Sequence, residues 1–71
     1  MNEELRTKIK LERKKRHLSQ LELALIAEID KTTLWKLETG KTEPTFKTLK
    51  KIAKAFDMNV FSLMDVSKVD L

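Results

Sequence analysis

The 71-residue sequence contains no cysteine and no tyrosine, a single histidine, a single glycine and a single proline. Without cysteine neither a disulfide framework nor a cysteine-ligated zinc site can form, and one histidine rules out a histidine-rich metal site. One imidazole, no thiol and scattered carboxylates supply no nucleophile–base constellation, which makes an enzyme the weakest functional class. No apolar run approaches the roughly 18 residues of a membrane span, and the opening MNEELRTKIK lacks the apolar segment of a signal peptide. A soluble, cytoplasmic chain without metal or cofactor is the expectation. Internal repeats and low-complexity stretches are also missing.

What the chain does have is charge. Lysine and arginine total 15 against 11 aspartate and glutamate, a formal +4 at neutral pH, and a basic excess favours polyanionic partners. Arg6, Lys8, Lys10, Arg13, Lys14, Lys15 and Arg16 crowd the first expected helix; Lys31, Lys36, Lys41, Lys47, Lys50, Lys51 and Lys54 follow. Beyond residue 56 only Lys68 opposes Asp57, Asp65 and Asp70. The first cluster reads as a solvated helix end matched to its dipole and adding long-range attraction. A chain of this length is one small domain, whose core rarely yields more than about 3–5 kcal/mol, so dimerisation would help it. The domain is expected over residues 1–66, with a flexible tail at 67–71.

Capping residues and apolar periodicity divide the chain into five helices. Asn2 can cap a helix running to about Arg16, on which Leu5, Ile9, Arg13 and Arg16 share one face, pointing an arginine toward the core. Ser19 with Glu22 three residues later is a capping box for a helix at 20–27. Asp30 caps the next, at 31–38, and Gly40 suits the left-handed residue that ends it. Pro44 blocks continuation and Thr45 caps a fourth helix, where Phe46, Leu49, Ile52, Ala53 and Phe56 line one side and four lysines the other. Asn59 caps a short helix at 60–65. Two capped helices joined by about four residues must cross steeply, the geometry that lets the second enter the major groove of DNA. At 100° per residue Leu34 and Leu37 face inward, while Thr32, Trp35, Lys36 and Thr39 face outward and Lys31 projects from the N-terminal end. Lysine can donate to guanine O6 and N7, and threonine can hydrogen-bond or touch a thymine methyl.

The stretches L-S-Q-x-E-L-A (18–24), L-x-K-L-E-x-G-K (34–41), P-T (44–45) and L-K-K-I-A-K-A-F (49–56) resemble the Cro/Xre family of phage-repressor-like helix-turn-helix domains. The resemblance covers about residues 5–64. It implies an all-α, compact five-helix bundle, lambda-repressor-like, that binds operator DNA as a homodimer with the third helix as recognition helix. It places Lys31, Thr32, Trp35 and Lys36 at the bases and Gln20 near a phosphate and flanking bases. Thr39, Lys41 and Thr42 fall near the backbone, and Ser19, beside Gln20, falls at the backbone or a flanking position. The family's ion pair between helices 1 and 3 falls on Arg13 and Glu38, which the helical wheel supports independently. Where the family often has glycine, this sequence has His17, Glu28 and Asp57, of which Glu28 tolerates a left-handed backbone least.

Two points stay open in the sequence. Trp35 can meet the groove or pack against the fourth helix or its connection. Leu11, Leu21 and Leu25 can form an exposed patch for a partner, or be covered by the tail or first helix of the same chain; Phe61, Met64 and Val66 divide between core and dimer contact. The resulting expectation is a sequence-specific regulator of transcription, a repressor on a palindromic operator. The alternatives are an antitoxin that binds a protein toxin and controls its own operon, or the controller of a restriction-modification operon.

Overall fold

The computed structural model describes residues 3–65, and within them the chain forms α1 (Glu3–Lys15), α2 (Gln20–Ala27), α3 (Lys31–Thr39), α4 (Phe46–Ala55) and α5 (Val60–Met64). Each start is chemically marked. The Ser19 hydroxyl accepts from the Glu22 N–H at 3.0 Å while the Ser19 N–H donates to Glu22 Oε1 at 2.8 Å, a complete capping box. Thr45 accepts from the Thr48 N–H and Asn59 from the Phe61 N–H. Asp30 holds the cap position of α3 with extended backbone, but its side chain makes no capping hydrogen bond, which corrects the role expected of it. The expected cap at Asn2 lies outside the described residues.

The helices enclose a core of Ile9, Leu23, Ala24, Ala27, Leu34, Leu37, Leu49, Ile52, Ala53, Phe56 and Leu63. α2 packs on α3 and α4, α1 on α3 and α5, and α4 on α5. Phe46 departs from expectation: it begins α4 on the rim of the apolar stripe and is 48% exposed, its ring 6.1 Å from that of Phe61. The α4 lysines do occupy the side away from the core, three exposed and Lys51 half-buried. Four turns use left-handed backbone: Gly40 at φ 78° after α3, and His17, Glu28 and Asp57 at φ 55°, 58° and 56°. At Gly40 the left-handed φ is what calls for glycine; the Arg6 guanidinium, 2.8 Å from where a Cβ would lie, is the end of a flexible side chain and can move aside.

The basic run of α1 is not simply a solvated helix end. Lys8 is buried and its Nζ donates to the carbonyls of Ser62 and Asp65 at 2.6 and 2.8 Å, at the C-terminal end of α5. Arg16 donates to the Phe56 carbonyl at 2.8 Å and lies over the Phe56 ring, while its other nitrogen pairs with Glu12. Helix ends leave carbonyls unpaired and carry partial negative charge, so cations reaching them from α1 both satisfy and neutralise them. The Arg16 hydrogen bond, with Lys15 adding to it, holds the Glu12 carboxyl below its ordinary value.

Candidate nucleic-acid interface

Leu34 and Leu37 anchor the inner side of α3 in the core, and the opposite side stays open to solvent. Lys31, Thr32, Trp35, Lys36 and Thr39 are all exposed, as their 100° spacing requires. Trp35 is 42% exposed, and Lys41 from the connection after α3 places Nζ 5.7 Å from its ring centre. This contact holds a positive charge beside the outer face of α3. Thr39 is more committed than expected, since its hydroxyl donates to the Trp35 carbonyl at 2.8 Å and must leave it to reach a phosphate. The Ser19 hydroxyl oxygen is engaged in the capping box. Thr42 is exposed in the connection.

Behind this face lies the ion pair. Arg13 Nε and Nη2 donate to Glu38 Oε2 and Oε1 at 2.8 and 2.9 Å, a bidentate geometry, and Arg13 Nη1 donates to the Leu18 carbonyl at 2.8 Å. The Glu38 side chain is only 2% exposed. Glu38 Oε1 also accepts from Gln20 Nε2 at 3.2 Å, and Gln20 lines one recess with Lys31, Thr32 and Trp35. The start of α2 and the outer face of α3 therefore form one surface, backed by a buried charge pair.

The structure also sorts the residues expected at a partner surface. Leu21 and Leu25 are exposed, Leu25 at 69%, together with Ile26, which the sequence reading did not single out. Leu11 is half-buried. Phe61 is 67% exposed and Met64 is exposed too, whereas Leu63 supplies the buried contact of α5; Val66 lies outside the described residues. Sequence reasoning also missed the Gln20–Glu38 and Lys8–α5 bonds. These span 18, 54 and 57 positions, and no local spacing signals them. Among the described residues no cluster of metal-ligating side chains occurs, and no helix is long and apolar enough to cross a membrane.

Comparison with known proteins places this arrangement. Residues 9–63 match the helix-turn-helix family. The chain is 36% identical over 64 residues to the ImmF control region 10 kDa protein of Bacillus phage phi105, covering 87% of this chain and 71% of that protein. A chain of the solved SinR protein/SinI protein complex superposes with a TM-score of 0.82 at 30% identity, covering 93% of this chain and 67% of that one.

Proposed function

Because the chain belongs to the helix-turn-helix family, in its Cro/Xre branch of DNA-binding regulators, we propose that it is a sequence-specific repressor that binds a palindromic operator as a homodimer through α3. The observation that carries this reading is the polar outer face of α3, where Lys31, Thr32, Trp35 and Lys36 stand exposed over the anchored Leu34 and Leu37. In this reading those four side chains meet base edges, and Lys41, Thr42, Ser19, Gln20 and Thr39 meet the backbone or flanking positions. Two-fold symmetry sets the half-sites one helical turn apart, roughly 34–36 Å. Phe61 and Met64, exposed on α5 in the region where positive charge gives way to Asp57 and Asp65, supply the dimer contact. The domain takes residues 1–66, the protein acts in the cytoplasm, and no step requires catalysis or a cofactor.

Selection of bound duplexes from a random pool tests the reading directly. The expected outcome is an inverted repeat with half-site centres 10–10.5 base pairs apart, or a multiple of that spacing. Failure to enrich any sequence removes it.

Exposed Leu21, Leu25 and Ile26 favour a second reading in which α2 docks a protein partner. An antitoxin bound to its toxin fits that surface, whereas a restriction-modification controller would differ from the first reading only in the genes it governs. Purification from native extract separates them: an equimolar second protein supports the antitoxin, and a homodimer alone counts against it.

A further inference from the structure

Gln20 stands where two parts of the molecule meet. On one side its Nε2 donates to Glu38 Oε1 at 3.2 Å; on the other it lines the recess shared with Lys31, Thr32 and Trp35. Glu38 cannot swing away, since both of its oxygens are held by Arg13 and its side chain is almost wholly buried. A carboxylate only accepts hydrogen bonds, so an amide beside it must turn its NH2 group inward and its carbonyl outward. That amide has two N–H donors and one carbonyl acceptor. With one N–H spent on Glu38, one donor and one acceptor remain, and they face the same way when the N–H trans to the carbonyl is the one that Glu38 takes. In the major groove adenine presents the complement, with N7 accepting and the N6 amino group donating. A phosphate, which only accepts, would use the remaining N–H and leave the amide carbonyl facing an anion.

We propose that Gln20 reads an adenine at the edge of the half-site and that Glu38, locked by Arg13, is the positioning residue that presets its amide. This rests on the reading of α3 as a recognition helix. The buried pair does more than hold α1 to α3: it lowers the ordering cost of a flexible side chain before DNA arrives. The Glu38 charge does not repel the DNA backbone appreciably, because the guanidinium neutralises it from within the fold.

The experiment uses duplexes selected by the unaltered chain and measures variant binding to a panel in which each base pair of the half-site is changed in turn. Gln20→Met retains the length of the side chain and loses both amide groups. Its expected effect is a loss of adenine preference of roughly 5- to 150-fold at one base pair, with other preferences and the salt slope unchanged. Glu38→Gln should relax preference at the same base pair, and adding Gln20→Met to it should relax it no further. If Glu38→Gln gives no cooperative thermal transition, Glu38→Asp takes its place, since it retains the charge but draws the acceptor back by one methylene. A uniform loss from Gln20→Met over all duplexes, with a salt slope shallower by about 0.9, identifies a phosphate contact and overturns the proposal. Undiminished preference in a folded Glu38 variant overturns the positioning role. If the unaltered chain enriches no sequence, the proposed function itself fails; if it enriches a half-site whose preferences survive Gln20→Met, only the role of Gln20 fails.

Discussion

The Arg13–Glu38 pair sets the largest single-residue effect in the molecule. Removing one partner of a buried pair leaves the other charge desolvated, at about 3–5 kcal/mol, which equals the whole stability such a small core supplies. Arg13→Met is therefore expected to abolish the cooperative thermal transition followed by circular dichroism at 222 nm. Arg13→Met combined with Glu38→Leu should recover much of it, because no stranded charge remains. A smaller effect of opposite sign is expected at Glu28. Its φ of 58° places a side chain in the left-handed region, where His17 and Asp57 are the better tolerated residue types. Glu28→Gly relieves that strain at the cost of a more flexible unfolded chain and should leave a net gain of about 0.5–1 kcal/mol. At roughly 4–8 °C per kcal/mol, this is a visible rise in Tm, and Glu28→Ala should not produce it.

At the scale of elements, α2 depends on its cap. Its eight residues have apolar side chains on the exposed as well as the buried side, so the start must be fixed locally by Ser19 and Glu22. The Ser19 backbone N–H and hydroxyl hold the Glu22 carboxyl below its ordinary value. Arg16 does the same for Glu12. A carboxyl depressed in the folded state contributes stability above its unfolded value, near 4.5, and loses it as pH falls through the folded value. Stability should therefore decline from about pH 5 downward. Glu22→Gln preserves the box, since glutamine can accept from the same N–H, but removes the titration. It should leave Tm at pH 7 nearly unchanged and flatten its fall between roughly pH 5 and 3. The helices were legible for related reasons: caps at Ser19, Thr45 and Asn59 and the left-handed Gly40 are local chemistry, and the structure has them where the sequence puts them. The helix ends moved by a residue, with α3 reaching Thr39 and α5 stopping at Met64. Phe46 misled because it opens α4 at the edge of the apolar stripe, where its ring lies beside exposed Phe61 and not in the core.

For the whole molecule, the question is where the formal +4 charge is used. Arg13, Lys8 and Arg16 turn inward to a carboxylate and to helix ends; the helical wheel puts Arg13 and Arg16 on the core face, but the Lys8 and Arg16 bonds to helix ends, formed across 40 to 57 positions, leave no local signal. The outward side of α3, by contrast, was legible from its 100° period, because exposure there is the complement of burying Leu34 and Leu37. The positive charge open to a polyanion lies on α3, its following connection and α4, and at Lys10, Lys14 and Lys15 of α1, and within the α3 region position decides function. Lys36 projects from α3, so Lys36→Ala should relax preference at one base position by about 1–3 kcal/mol and leave random duplexes nearly unaffected. Lys41 stands beside Trp35 in the connection after α3, and the proposed function assigns it to a phosphate. Lys41→Ala should weaken every duplex alike and reduce the slope of log K against log salt by about 0.9, the counterion equivalent of one phosphate. Fluorescence anisotropy on specific and random duplexes across a salt series separates the two variants. Equal losses from Lys36→Ala on both duplexes would remove that lysine from base recognition and assign it, like Lys41, to the backbone.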